Sequence, residues 1–438
     1  MSARTRVAVV GGGLAGITAA LRLADAGCQV TLHEARPKLG GLTHSFKRGE
    51  TWVDNGQHVF LRCCTSYLAL LERLGVAGQV TLQDRLDVTV RSEAYAGTGR
   101  LRRSGLPAPL HLGAALATYR WLSPLERAKV VPAALALGRV DRTAPATDEQ
   151  SFGAWLARHG QSPRAVEAVW DLIGVATLNA RADAASLALA ATVFQLGLLD
   201  EPGAADIGWS TVPLQQLHGD AAAKALADAG VDVRLGSKVA ALDGLDADAV
   251  VVATTATEAE RLAGDAVPDR VPAGWAERLG SAPIINLHLV YDRTVLDEAF
   301  VAAVDSPLQW VFDRTSHAGL TDGQYVAVSI SAADGLVDEP VAALRERFVP
   351  HVEALLPRAR GAELRDFFVT RERHATFRPA PGSGRLRPET RTKSPRVYLA
   401  GAWTATGWPA TMEGAVRSGE AAADALLEKR SPLVEVGA

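Results

Sequence analysis

The chain has 438 residues, 48% apolar and 22% charged, a globular composition that excludes whole-chain disorder. At about 150 residues per domain, its length excludes a single small fold. The 46 Lys and Arg stand against 49 Asp and Glu, a formal charge of −3, so no global positive field exists to hold a polyanion and nucleic acid is not an expected partner.

Cys28, Cys63 and Cys64 include an adjacent pair that ordinary disulfide geometry disfavours, which points to a reducing cytosol. Met1 to Arg6 run directly into VAVV with no cleavage pattern, so no secretory leader is expected. RVAVV (6–10) reads as a buried strand, Gly11 to Gly16 as a glycine turn, and ITAALRLADAG as a helix stopped at Gly27. CQVTLHEA (28–35) supplies a second strand and completes a right-handed βαβ unit, so the sheet begins parallel.

From residue 100 to 205 strands nearly vanish, and Ala, Leu, Arg and Trp recur at helical spacing between the boundaries Pro107, Pro124, Pro132 and Pro163. The most apolar stretch, Ala184 to Leu199, is interrupted by Ser186, Thr192 and Gln195 and falls short of the ~18 residues of a membrane span. Over 214–254 the pattern returns to helix, strand (VDVRLGSKVAAL) and strand (DAVVVATT). Within 271–390, INLHLVYD and QYVAVSIS read as strands, VAALRERFVPHVEALL as a helix and RPAPGSGRLRP as a loop. RVYLAGAW and EGAVRSGEAAADALLEK end the chain as strand and helix. The expected class is α/β: a Rossmann-like nucleotide domain assembled from 1–99, 206–270 and 391–430, with 100–205 and 271–390 forming an inserted substrate domain of mixed sheet plus helices.

Gly11, Gly13 and Gly16 satisfy GxGxxG. The first glycine permits the tight turn, the second lets backbone approach a pyrophosphate, and the third lets helix and strand pack closely. Glu34 follows Gly16 by 18 residues and ends the second strand, where a carboxylate accepts from ribose hydroxyls. GxGxxG alone is weak; with strand, helix, strand and acid in place it predicts a dinucleotide site.

After Glu34, ARPKLGGLTHSF adds the Gly40-Gly41 pair. This extended fingerprint, with YLAGAWTATGWPATMEGAVRSGEAAA near the other end, resembles the superfamily of FAD-containing amine oxidases and carotenoid desaturases. The resemblance implies FAD held by Gly11, Gly13, Leu14, Ala15, Gly16, Glu34, Ala35, Arg36, Gly40, Gly41, Leu42, Gly56, Gln57, His58, Val239, Gly401, Ala402, Trp403, Met412 and Glu413. It also implies that the helix starting near Glu413 turns its positive end to the flavin ring. Many relatives carry an acid where this chain has Ala402, which removes one hydrogen bond to the ribityl or phosphate.

VDNGQHVFLRCC (53–64), LPAPLHL (106–112), ATLNARADAAS (176–186) and TGWPATMEGAVRSG are more particular. They look like the hydroxysqualene dehydroxylases, also called squalene-associated FAD-dependent desaturases. That resemblance implies reductive removal of the hydroxyl of hydroxysqualene to give squalene for hopanoid synthesis, with hydride from reduced FAD and an electron donor left open. Such chemistry requires a proton donor near the oxygen and a dry apolar tunnel. Asp54 and His58 are the candidate catalytic residues, with structural hydrogen bonding as the alternative for each. Trp52, Trp121, Trp155, Trp170, Trp310, Trp403 and Trp408 are tunnel or core material.

A carotenoid or phytoene desaturase, another amine oxidase-like flavoenzyme and a non-catalytic lipid carrier are the competing readings. His33, His218 and His288 lack metal-ligand spacing, so no metal site is expected. Cys63 and Cys64 lack CxxC spacing and read as buried small hydrophobes. No GxSxG elbow supports a hydrolase. Arg100, Arg102 and Arg103 beside the apolar run to Trp121 suggest a peripheral contact with the inner face of a membrane; a solvated turn before a buried helix is the alternative. The expected location is the cytoplasm.

Overall fold

A parallel sheet is built from strands far apart in sequence: the order is Asp232–Leu235, Gln29–Glu34, Arg6–Val10, Ala249–Val252 and Val397–Leu399 in the computed structural model, which describes residues 4–429. Residues 1–3 of the leader reading, and Arg430 of the last expected segment, lie outside the described residues. The central strands are continuous apolar runs because helices cover both faces of a parallel sheet. Helix Leu14–Asp25 packs on helix Met412–Glu428 so closely that a Cβ built on Gly419 falls 2.3 Å from the Ala15 carbonyl oxygen. The two ends of the chain meet there.

The second sheet has seven strands in the order Leu364–Phe377, Ser281–Tyr291, Gln324–Ile330, Trp310–Asp313, Phe300–Val304, Asp87–Ser92 and Thr98–Arg102. Neighbours are antiparallel except Phe300–Val304 with Asp87–Ser92. The expected break after residue 99 is therefore corrected. Strand Asp87–Ser92 alternates half-buried and buried residues, a pattern that suits a sheet with one less buried face and not a strand covered on both faces, and it pairs in the second sheet on both sides. Residues 206–210 also leave the first sheet: Ile207–Ser210 lies between Val59–Leu61 and Val80–Leu82 in a three-stranded sheet.

Most of residues 110–199 is helical and forms a layer of its own. Ser123 and Glu126 form a capping box around Pro124 and start helix Pro124–Leu137, and Ser186 caps the fully buried helix Leu187–Phe194. Pro132, expected as a boundary, stands inside Pro124–Leu137 instead. It is tolerated on the exposed face, where the Ala128 carbonyl that loses its partner reaches water. Among the described residues no helix is long and apolar enough to cross a membrane.

Candidate functional site

One cavity of about 1500 Å³ starts at the carboxyl ends of the parallel strands, at Val10, Glu34, Ala253 and Gly401, and runs between the second sheet and the helical layer. Ligands of open α/β sheets bind at those strand ends. At Gly11, where φ is +113°, the chain turns so sharply that a Cβ would stand 2.3 Å from the Ala253 carbonyl oxygen. Gly16 does not border the cavity: its Cβ would lie 1.8 Å from the Gly11 carbonyl oxygen, so it acts through helix–strand packing.

The second glycine pair closes over this turn. Gly40 N donates to the Gly12 carbonyl at 2.9 Å, and a Cβ on Gly41, at φ +58°, would stand 2.8 Å from Gly13 Cα. Helix Leu14–Asp25 has no side-chain cap, so its first N–H groups remain available at the cavity wall. Glu34 accepts from Gly12 N at 2.6 Å and Arg36 N at 2.8 Å, which fixes its carboxylate at the same wall. A backbone cradle with uncapped N–H groups beside an acid fits the adenosine diphosphate half of FAD.

The far end of the cradle comes from Gly56, Gln57 and His58, from Val239, and from Gly401 to Trp403 with Met412. Leu14, Ala15, Ala35, Arg36 and Leu42 border the cavity too. Gln57 Oε1 and Asn286 Oδ1 are buried without a protein partner, as at a site completed by a bound group. Glu413 borders the cavity, but its carboxylate is committed elsewhere. It accepts from Ser66 N at 3.2 Å, Tyr67 N at 2.7 Å and Arg417 Nε at 2.6 Å, so it caps helix Thr65–Arg73 rather than reaching out to a cofactor.

Asp54 is also corrected. It lies outside the cavity, accepting from Ser45 Oγ at 2.5 Å, Leu214 N at 3.1 Å, Arg314 at 2.8 Å and His317 Nε2 at 2.6 Å. Burial by itself raises this carboxyl's pKa, but the hydrogen bond from His317 and the Arg314 guanidinium prevail and hold it well below the usual carboxylate range. Burial pushes the His317 pKa down while its hydrogen bond to Asp54 pushes it up, and His317 and Arg314 together favour the ionised Asp54. Asp54 thus ties the hairpin strand Thr51–Asp54 to the second sheet.

His58 does border the cavity. Its Nδ1 lies 3.1 Å from the Gly56 carbonyl oxygen, and burial lowers its pKa below the ordinary imidazole range. A carbonyl only accepts, so Nδ1 carries the proton of this bond and Nε2 is the nitrogen left to exchange a proton. Cys63 and Cys64 are half-buried on the wall rather than core residues.

Beyond His58 the cavity becomes an apolar arm between Phe300, Phe312 and Val88 of the sheet and Leu116, Ile173 and Phe194 of the helices. Trp170, Trp310, Trp403 and Trp408 line the cavity, whereas Trp52, Trp121 and Trp155 pack away from it. The sequence reading missed Asn286, whose Nδ2 reaches the Asn55 carbonyl at 3.4 Å, because one Asn in an apolar strand carries no spacing signal.

Residues 14–427 match the family of flavin containing amine oxidoreductases. The chain belongs to this family. It is 29% identical to hydroxysqualene dehydroxylase of Rhodopseudomonas palustris, over 96% of this chain and 98% of that one. It is 25% identical to zeta-carotene desaturase of a Synechocystis species, over 98% of each. The structure of putrescine oxidase bound to putrescine shares the fold, with a TM-score of 0.71 at 19% identity over 97% of this chain and 99% of that one. This flavin oxidoreductase is FAD-dependent.

Two outcomes follow from the site's geometry. Gly41→Ala places a methyl group against Gly13 and strains a positive φ, so FAD affinity falls about tenfold or more with the circular dichroism unchanged, as read by flavin fluorescence titration. Asp54→Asn lowers stability by about 3 kcal/mol in denaturant unfolding of the holoenzyme while FAD stays bound. Because the native carboxyl is depressed, its stabilisation is complete above the unfolded pKa of about 3.9 and is lost as pH falls below that value. The variant therefore shows a shallower loss of stability on the acid side.

Proposed function

We propose that this flavoprotein removes the hydroxyl of hydroxysqualene reductively and releases squalene. The observation that carries the reading is the apolar arm, continuous with the nucleotide cradle, in a chain that aligns with two hydroxysqualene dehydroxylases over nearly its whole length. The glycine turn and Glu34 would hold the adenosine end of FAD, and Gly401, Ala402, Trp403 and Met412 would border its flavin end. When bound and reduced, FAD supplies the hydride that replaces the departing oxygen.

The chain's own residues do the rest. Phe300, Phe312, Ile173 and Phe194 exclude water from the hydrocarbon and from the cationic carbon left by C–O cleavage. Aromatic faces such as Trp310 stabilise that positive charge. His58, anchored by its Nδ1, presents Nε2 as the site that carries the proton to the leaving oxygen. Since its pKa is depressed, the protonated fraction grows as pH falls.

The same arm suits a carotenoid, and the 25% identity to a zeta-carotene desaturase keeps that reading in view. Anaerobic incubation of dithionite-reduced enzyme with hydroxysqualene decides between them. Squalene is expected by gas chromatography, faster at about pH 6 than at about pH 8, with His58→Gln abolishing this dependence. Absence of squalene, with desaturation of phytoene or zeta-carotene by the oxidised enzyme, overturns the reading.

We infer that the hydrocarbon is taken up from an anionic lipid surface at the inner face of the membrane. The arginines first anticipated for this contact are committed: Arg100 and Arg102 pair with Asp87, and Arg103 with Asp206. Trp121 is buried. In their place, Leu110, Val131 and Leu135 are 61%, 46% and 44% exposed while also bordering the cavity, so they form its greasy mouth. Apart from those three arginines, residues 100–142 carry five Lys and Arg against two Asp and Glu, although the whole chain is net negative, and exposed Arg120, Lys129 and Arg139 belong to that excess. Leu110→Asp with Val131→Asp is expected to abolish co-sedimentation with phosphatidylglycerol vesicles. Undiminished binding by the double variant removes the idea.

A further inference from the structure

Most buried charges among the described residues have counterions; Glu34, held by the backbone N–H groups of Gly12 and Arg36, and Arg387 make no ion pair. Asp54 has Arg314, Asp206 has Arg62 and Arg103, and Glu413 has Arg417. Arg387, from the loop read as RPAPGSGRLRP, is 3% exposed and donates only to carbonyl oxygens: those of Ala402, Trp403 at 3.3 Å, Thr404 and Trp408 at 2.7 Å. Its guanidinium also lies 4.6 Å from the ring centroid of Phe377. The carboxylate it feels is Asp148, which is engaged by Ser186 Oγ at 2.7 Å and Gly384 N at 2.8 Å and makes no ion pair with it.

A desolvated cation without an anion is costly, and carbonyl dipoles offset only part of that cost. Burial lowers the Arg387 pKa to about 10, so the group is still charged at neutral pH. The carbonyls it gathers belong to one loop, and Ala402, Trp403 and Trp408 of that loop border the cavity at the flavin end. The positive charge therefore lies behind this loop and Phe377, both of which border the cavity. Ala402, in that loop, carries no carboxylate that would cancel the field.

We propose that Arg387 is a positioning residue whose unpaired charge, held behind the loop 401–408, stabilises negative charge on the reduced flavin ring. The missing counterion is then the reduced cofactor itself. The inference rests on FAD binding and not on which terpenoid is consumed, so it survives if the dehydroxylase reading fails.

The test compares holoenzymes of wild type, Arg387→Lys and Arg387→Met. Arg387→Met is expected to lower the two-electron midpoint potential by about 30 mV, a tenfold change in the reduction equilibrium, and to weaken sulfite binding to the flavin about tenfold. Arg387→Lys keeps the charge but not the fork across the carbonyls, so the potential returns toward wild type even if thermal stability does not. If Arg387→Met does not fold, wild type and Arg387→Lys still decide: the reduced flavin of both should be anionic by absorbance from about pH 5 to about pH 8. Potentials and sulfite affinities unchanged in Arg387→Met, or a reduced flavin that is neutral near pH 6 in wild type, overturn the proposal. A purely structural arginine would lower stability and FAD affinity and leave the potential where it was.

Discussion

The architecture depends on backbone brought closer to backbone than any side chain allows. Three such approaches converge on one helix: Gly16 against the Gly11 carbonyl, Gly41 against Gly13, and Gly419 against the Ala15 carbonyl. The first seats helix Leu14–Asp25 on its strand, the second closes the nucleotide turn, and the third docks the last helix of the chain. A methyl group at any of them separates elements whose alignment makes the phosphate-facing helix terminus usable. The cofactor cradle and the closure of the chain's two ends are thus one steric solution.

From that fixed end the cavity changes chemistry along its length. Its first part is backbone N–H groups, an acid and small residues, suited to a polar, charged dinucleotide. Its second part is aliphatic and aromatic side chains from two sources, the face of the second sheet and the helical layer. A flavin at the junction would have water on neither side of the reacting carbon, the condition under which a hydride donor and a cationic carbon persist long enough to meet. The exposed Leu110, Val131 and Leu135, which also border the cavity, extend its apolar surface to the outside.

Legibility in the sequence followed locality. The strand, turn, helix and strand of 6–35 and the last strand and helix were readable because each residue's task is set by near neighbours and by sharp glycine geometry. Strand Leu364–Phe377 was not read: most of its residues are half-buried, with Arg, Glu and Asp among them, so neither a period of two nor a continuous apolar run shows. The pairing of Asp87–Ser92 with Phe300–Val304 joins segments about 200 residues apart, and nothing in either strand names the other. Asp54 misled for a related reason. It stands within four residues of the cavity-lining Gly56 and His58, but strand geometry turns its side chain to the Arg314 side, an alternation invisible without knowing where the hairpin strand ends.

The buried ions sort into two kinds, and the sorting separates what builds this protein from what tunes it. Asp54 with Arg314 and Asp206 with Arg62 and Arg103 join distant segments, Glu413 with Arg417 pairs within one helix, and all cancel locally, so their fields fade within a short distance. Their removal is felt as stability. Arg387 cancels against nothing comparable, and carbonyl dipoles hold it in place without extinguishing its charge. In a low-dielectric wall such a field reaches the adjoining cavity, where a group that gains negative charge on reduction lowers its energy by answering it. An uncompensated ion beside a redox cofactor is therefore the arrangement in which desolvation, a cost everywhere else in the fold, becomes a determinant of the chemistry.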